Sequence, residues 1–154
     1  GKQSWTGERF GCYYIPNSGI WQSVWLEFFG EDCVSGYSLQ PDVDNRAVSG
    51  YAETLRGLAD ELEITLTFRG RLLKKQRISC GGRRTRFTVS LDDTAFSIND
   101  LMWWIDHPNL IDVDFRLYRK GTLCDVAHTR LGMRKISVDG EGKICLNNTP
   151  CTSG

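Results

Sequence analysis

The chain has 154 residues, and its 19 lysines and arginines balance its 19 aspartates and glutamates, so its formal net charge is zero. A neutral chain lacks the electrostatic attraction on which nucleic-acid and anionic-membrane binding depend, and its longest apolar clusters, such as residues 101–105, are far too short to span a bilayer. With 40% hydrophobic and 25% charged residues, the composition is that of a globular protein and excludes a disordered one.

The first thirty residues are rich in aromatic side chains, and three of the five tryptophans, Trp5, Trp21 and Trp25, lie among them. Large apolar groups occupy both alternating faces of residues 20–29, so we expect a strand buried on both sides. Residues 1–12 offer no partner strand of their own. This segment therefore resembles the last strands of a domain whose beginning is absent.

From residue 33 to residue 91, apolar and polar residues alternate in short runs, which is typical of antiparallel strands with one buried and one wet face. Residues 33–43 and 46–55 form one predicted pair, and residues 71–80 and 86–91 are further strands between glycine turns. The clearest run is residues 61–69. Its apolar face consists of Leu62, Ile64, Leu66 and Phe68, and its polar face includes Glu61 and Glu63.

An irregular segment, residues 97–109, separates these strands from a predicted hairpin of residues 111–118 and 122–131. A last pair follows at residues 135–139 and 143–147. Short strands at this spacing, without a long segment of helical period, predict an all-β fold, namely a two-sheet antiparallel β-sandwich.

Few side chains offer catalytic chemistry. Only His107 and His128 could act as a base, and we interpret His107 as part of a turn and His128 as a strand residue that faces water. Asp112 and Asp114 are interpreted as a solvated strand face rather than a glycosidase pair, and the basic residues 82–86 as a solvated hairpin tip. We predict no catalytic residue, no metal site and no cofactor.

The six cysteines show no CxxC spacing, and neither histidine lies near a cysteine pair. A disulfide framework and a metal site are both conceivable interpretations. We favour scattered thiols in a reducing compartment, which points to the cytoplasm.

Three segments, taken in order, resemble glycoside hydrolase family 2, which includes β-galactosidases, β-glucuronidases and β-mannosidases. Residues 18–27, SGIWQSVWLE, are similar to the strand that closes the family's N-terminal sugar-binding-like domain. Residues 107–138 contain a P-N-L loop, a hairpin and a G-M-R-K-I exit that are similar to its second domain. Residues 142–151, GKICLNNTPC, resemble the F-x-L-N-G-K-P segment that leads into its catalytic barrel. Two departures stand out: Ile111 replaces the usual Tyr, and Asn148-Thr149 replaces the usual Gly-Lys.

The resemblance implies an immunoglobulin-like β-sandwich for residues 30–136. It also implies terminal strands of a jelly-roll domain for residues 1–29 and a linker toward an absent (β/α)₈ barrel for residues 137–154. Both catalytic glutamates of the family come from that barrel, so no catalytic residue is carried over to this chain.

We therefore expect a non-catalytic part of a retaining glycoside hydrolase, of β-galactosidase type, that is inactive by itself. Its expected partners are its own jelly-roll and barrel domains, together with the carbohydrate substrate of the parent enzyme. Neither nucleic acid nor membrane is an expected partner, and homo-oligomerisation of the parent is left open.

Some aromatic and polar side chains are candidate interdomain or sugar-facing contacts, because exposed aromatic rings either stack on sugar rings or become buried against a neighbouring domain. These candidates are Trp21, Trp25, Trp103, Trp104, His107 and Asn109. Adjacent strand residues point to opposite faces, so at most one of Trp103 and Trp104 is expected to face a ligand. Two alternative functions stay open, a stand-alone carbohydrate-binding module and an immunoglobulin-like interaction domain.

Overall fold

The structure is a computed structural model that describes residues 2–16 and 18–151. Its strands are β1 (Val34–Asp42), β2 (Ala47–Thr54), β3 (Glu61–Phe68), β4 (Arg71–Ser79), β5 (Arg84–Ser90), β6 (Ile111–Arg119), β7 (Thr122–Leu131), β8 (Ile136–Val138), β9 (Ile144–Leu146) and β10 (Thr149–Pro150). One short helix, α1 (Ile98–Leu101), precedes β6. No helix within the described ranges is long and apolar enough to cross a membrane.

Two antiparallel sheets form the body of the fold. One sheet has the order β1-β2-β5, and the other has the order β4-β3-β6-β7. The predicted pairs of residues 33–43 with 46–55 and of residues 111–118 with 122–131 are confirmed as β1–β2 and β6–β7. The predicted two-sheet antiparallel β-sandwich is therefore confirmed.

The core lies between the two sheets and is built from the alternate residues that the sequence pattern had placed on the apolar face. In the central strands β3 and β6, Ile64 lies opposite Phe115 and Leu66 opposite Val113, which fixes the register. A shift by one residue would turn every apolar side chain of a strand to the solvent. The inward residues of the central strands and of β2 and β5 include Leu62, Ile64, Leu66, Phe68, Ile111, Val113, Phe115, Leu117, Val48, Ala52, Phe87 and Val89.

Because neighbouring strands are antiparallel, the turns gather at two opposite ends of the sandwich. The proximal end holds residues 32–33, 55–60, 80–83 and 120–121, and the distal end holds residues 43–46, 69–70, 91–110 and 132–135. Hydrogen bonds join turns within each end, such as Leu55 N–H to the Cys33 carbonyl (3.0 Å) and Leu91 N–H to the Arg46 carbonyl (2.8 Å). The chain thus enters the sandwich at the proximal end and leaves it at the distal end.

The N-terminal segment differs from the expectation. The described residues before β1 contain only isolated bridges and no strand, and the expected buried strand at residues 20–29 is not formed. Trp21 is 87% exposed and Phe28 is 95% exposed. A strand with large apolar groups on both faces needs a sheet on each side, and the described part of the chain supplies neither. The prediction is corrected to an exposed segment without strand pairing.

A third, small sheet of order β10-β9-β8 follows the sandwich, and it confirms the predicted pairing of residues 135–139 with 143–147. Strands β9 and β10 are joined by the two residues Asn147 and Asn148, whose φ angles are 50° and 65°. Positive φ at both central residues is the pattern of a type I′ hairpin turn, and asparagine tolerates it better than most residues. This backbone requirement explains why glycine is usual at position 148 in the family that the sequence resembles.

Candidate functional site

The segment that carries four of the six candidate residues is organised by a capped helical turn at the distal end. Ser97 is the N-cap of α1, and its hydroxyl lies 2.7 Å from Asp100 Oδ2, which also accepts the Ser97 N–H at 3.0 Å. These two hydrogen bonds from Ser97 lower the pKa of Asp100 below its ordinary value. The charged carboxylate therefore fixes the residue at which α1 begins within the loop.

Asn109, in the P-N-L motif, ties the two sides of this loop together. Its Nδ2 donates to the carbonyls of Asp100 (3.1 Å) and Met102 (3.3 Å), and its Oδ1 accepts from Arg69 Nη2 at 3.3 Å. The side-chain amide is thus fully engaged within the fold. Asn109 is a structural residue of the loop.

The loop borders a cavity of about 700 Å³ at the distal end. It is lined by Phe68, Arg69, Phe96, Asn99, Asp100, Trp104, Asp106, His107, Pro108 and Asn109. Within the described ranges, the side chains of Asn99, Asp106 and His107 make no hydrogen bond or ion pair. Among the residues that the structure describes, these three unpaired side chains lie beside the Trp104 ring.

Trp103 and Trp104 contact different surroundings, as their adjacency predicts. Trp104 lines the distal cavity, whereas Trp103 donates its backbone N–H to the Met133 carbonyl at 2.9 Å. The Arg134 guanidinium lies 4.9 Å from the centre of the Trp103 ring, within cation–π distance. Trp103 is thus packed on the connection between β7 and β8, where it borders a separate cavity of about 470 Å³.

The other two candidates lie elsewhere. Trp21 is exposed, and Trp25 is 70% exposed and donates its indole N–H to Glu27 at 2.9 Å. Trp25 lines a separate cavity of about 620 Å³ beside the first residues of β1 and the middle of β7. Of the six candidates, Trp104, His107 and Asn109 line one cavity together, whereas Trp25 and Trp103 border two others.

Two buried carboxylates were not singled out by the sequence pattern. Glu63 was expected on the wet face of β3, yet it is fully buried beneath Lys75, whose Nζ is 3.0 Å from Oε1, and Arg77, whose Nε donates to Oε2 at 2.7 Å. Burial alone would raise the pKa of Glu63, but the hydrogen bonds from Arg77 and Lys75 outweigh it and lower that pKa. The cross-strand pairing of Glu63 with Arg77 is the signal that could have revealed it.

The second buried carboxylate, Asp32, lies at the proximal end. It accepts the backbone N–H groups of Cys33 (3.0 Å), Arg56 (2.8 Å), Leu58 (2.6 Å) and Ala59 (3.2 Å). Burial would raise the pKa of Asp32, and these four donors together lower it. No local pattern indicates this role, because three of the four donors lie more than twenty residues away.

The acidic residues of the outer sheet face contact basic neighbours on the adjacent strand. His128 Nδ1 lies 2.8 Å from Asp114 Oδ1, and Arg130 Nε donates to Asp112 Oδ1 at 3.1 Å. All four side chains are solvent-accessible, and His128 also borders the cavity beside β1. This agrees with the interpretation of Asp112, Asp114 and His128 as a solvated strand face.

Within the described ranges, no three histidine, cysteine, aspartate or glutamate side chains are grouped so that they could hold a metal ion. The six cysteines, all of which fall in these ranges, are free thiols. Burial raises the pKa of the Cys33, Cys80 and Cys124 thiols, so these three are poor nucleophiles.

These features define a class of domain, an immunoglobulin-like β-sandwich with a loop-bordered cavity at its distal end. The sequence profile of the family described as Glycosyl hydrolases family 2 matches residues 34–134, about two thirds of the chain and the whole of the two main sheets. This chain belongs to glycosyl hydrolase family 2.

Individual relatives agree with this assignment. A β-galactosidase of Thermoanaerobacter pseudethanolicus is 23% identical over 150 residues, an alignment that covers 89% of this chain and 19% of that protein. Structures of the Ruminococcus gnavus β-glucuronidase in complex with D-glucuronic acid and with D-glucaro-d-lactam are similar with a TM-score of 0.55. They are 18% and 17% identical, and each match covers 79% of this chain and 19% of the other. The chain thus spans about a fifth of the length of these relatives.

Proposed function

We propose that this chain is a non-catalytic β-sandwich of a longer retaining glycoside hydrolase of β-galactosidase type. The observation that carries the proposal is the family match at residues 34–134, which coincides with the two main sheets of the sandwich. Retaining hydrolysis needs two carboxyl groups about 5–5.5 Å apart on either side of the substrate. In this proposal that pair belongs to a separate catalytic domain.

The arrangement of the two ends supports a role as a spacer. A chain that enters a sandwich at the proximal end and leaves at the distal end connects two neighbours in series. We therefore keep the domain division of residues 1–29, 30–136 and 137–154 as a proposal, with a jelly-roll domain on the first side and a barrel on the other. The exposed apolar side chains of residues 20–29 fit a surface that a neighbouring domain covers.

The distal cavity is proposed as a contact surface for the catalytic domain. The free side chains of Asn99, Asp106 and His107 would supply hydrogen bonds at this interface, and the Trp104 ring would supply apolar area. Trp21 and Trp25 are proposed as contacts to the preceding domain. The parent enzyme would act on a carbohydrate in a reducing compartment, the cytoplasm, where six free thiols persist.

The test compares this chain with the product of the complete reading frame from which it comes. The complete protein is expected to hydrolyse an aryl β-galactoside, with the β-anomer as the first product seen by NMR, and this chain is expected to release no aryl group. Hydrolysis of an aryl β-glucuronide instead would change the assigned substrate. Turnover by this chain itself, or a reading frame that encodes no further domain, would refute the proposal.

A carbohydrate-binding module is the second candidate, because the distal cavity combines an aromatic ring with unpaired polar groups. Titration calorimetry with lactose separates the two roles. A contact surface between domains should give no heat, whereas a sugar site should give heat that Trp104→Ala abolishes and Trp21→Ala, in the exposed N-terminal segment, does not.

A further inference from the structure

The turn between β9 and β10 is the meeting point of separate parts of the distal end. Asn147 is only 7% exposed. Its Oδ1 accepts the Lys135 N–H at 2.9 Å, and its Nδ2 donates to the Trp103 carbonyl at 2.9 Å. Both ends of one amide side chain are therefore used on backbone groups outside its own hairpin, so Asn147 connects the small sheet to the loop that precedes β6.

The neighbouring Asn148 is attached to a different part of the sandwich. Its Nδ2 donates to Asp44 Oδ1 at 2.9 Å, and Lys135 Nζ donates to Asp44 Oδ2 at 2.6 Å. Asp44 belongs to the turn between β1 and β2, 104 residues before Asn148. One carboxylate thus joins the first hairpin of the sandwich both to the connection after β7 and to the last hairpin of the chain.

The connection between β7 and β8 is itself attached to the sandwich. Besides its bonds through Lys135, it accepts the Trp103 N–H at the Met133 carbonyl, and Arg134 stacks on the Trp103 ring. A flexible linker would be rich in glycine and serine and would lack such contacts. This connection is instead hydrogen-bonded on both sides, within the four residues that precede β8.

We propose that Asp44, Lys135, Asn147 and Asn148 form a clamp that makes the β8–β10 sheet one rigid body with the sandwich and so fixes the direction in which the chain leaves it. Three of these four residues lie beyond the family match at residues 34–134. The consequence for the enzyme rests on the proposed function, since in a longer hydrolase this clamp would set the position of the domain that follows. The four are positioning residues and touch no substrate.

Residual dipolar couplings of the whole chain test the clamp, because they report the orientation of each amide relative to a common frame. The couplings of β8 and β9 are expected to fit the alignment tensor of the sandwich. Two variants remove the Asp44 contact in different ways. Asp44→Asn replaces one acceptor oxygen by a donor, and Asn148→Gly keeps the left-handed turn without strain while removing the side chain. Asp93→Asn is the matched control, because Asp93 also pairs with one lysine, Lys74 at 2.5 Å, but does not touch the small sheet.

In both clamp variants the residual dipolar couplings of the sandwich should stay unchanged, whereas those of β8 and β9 should decrease. Amide exchange in β8 and β9 should become about tenfold faster, as expected when a stabilising hydrogen bond is lost. The control variant Asp93→Asn should change neither the dipolar couplings nor the exchange rates of β8 and β9. The clamp is overturned if the wild-type small sheet needs its own tensor, or if both variants retain the single tensor and the slow exchange. These results do not depend on hydrolase activity, so a failed clamp and a failed functional proposal are distinguishable.

Discussion

Replacing Asp32 is the most direct way to test how the proximal end is held together. Its fully buried carboxylate accepts four backbone N–H groups, three of which belong to residues 56–59. In the Asp32→Ala variant these donors lose their acceptor. Asp32→Asn keeps the shape of the side chain but replaces one acceptor oxygen by an NH₂ group, which faces N–H donors.

The expected loss of stability follows from these contacts. A hydrogen bond to a charged group contributes about 1.5–3 kcal/mol, and an orphaned buried donor costs about 1–3 kcal/mol. The Cys33 contact is local, so only the three long-range hydrogen bonds are counted toward the loss of stability. Residues 55–60 are largely exposed, and their partial relaxation toward water reduces the summed loss. We expect Asp32→Ala to lower the free energy of unfolding by about 3–4 kcal/mol and Asp32→Asn by about 2–3 kcal/mol.

Urea unfolding followed by tryptophan fluorescence measures both values, with Asp93→Asn as a surface control. Because the pKa of folded Asp32 is lowered, its contribution is fully present above the unfolded pKa of about 3.9 and is lost as the pH falls through the lower folded value. The wild type and Asp32→Asn should therefore converge in stability in acid. A loss below about 1 kcal/mol for Asp32→Ala would show that water replaces the carboxylate and would refute the reasoning.

Three further predictions concern other parts of the chain. Glu63→Gln should destabilise by about 1–2 kcal/mol in urea unfolding, because it removes the charge on which Lys75 and Arg77 converge, whereas Glu61→Gln on the same face should cost less than about 0.5 kcal/mol. Asn109→Ala should cost about 1–2 kcal/mol and speed amide exchange in the loop before β6, while His107→Ala should leave stability unchanged; equal effects of the two would contradict the assigned roles. Mass spectrometry after alkylation should find the exposed thiols of Cys12 and Cys151 modified rapidly in the native chain. All six thiols should be modified in denaturant, and fewer than six modified thiols in denaturant would reveal a disulfide.

The sandwich and its strand pairs could be predicted because a strand has a side-chain period of two. The alternation of Leu62, Ile64 and Leu66 with polar neighbours fixes which face is buried, whatever the partner strand. The same reasoning failed at residues 20–29, where both faces are apolar and the described chain offers no partner. It also placed Glu63 at the surface, since a period of two cannot show that long cationic side chains from β4 will cover a carboxylate.

The candidate site was predictable only in part. The family resemblance and the turn-forming residues singled out the loop with Trp104, His107 and Asn109. Nothing in the local sequence showed that the Asn109 amide donates to two backbone carbonyls, whereas the His107 side chain makes no hydrogen bond within the described residues. Nor could the sequence place Trp25 far from that loop, beside β1 and β7. Both facts depend on contacts between segments that are distant along the chain.

By itself, the sequence determined the fold class, the strand pairs, the neutral charge and the family resemblance, because periodicity, turn residues and composition are local properties. Tertiary structure alone decided which carboxylates are buried, which cavity each of Trp25, Trp103 and Trp104 borders, and how the last hairpin is held. Asp32 lies more than twenty residues from three of its four N–H donors, and Asp44 and Asn148 lie 104 residues apart. Such contacts form only when the sheets pack, because hydrogen-bond geometry depends on distance in space and not on separation along the chain.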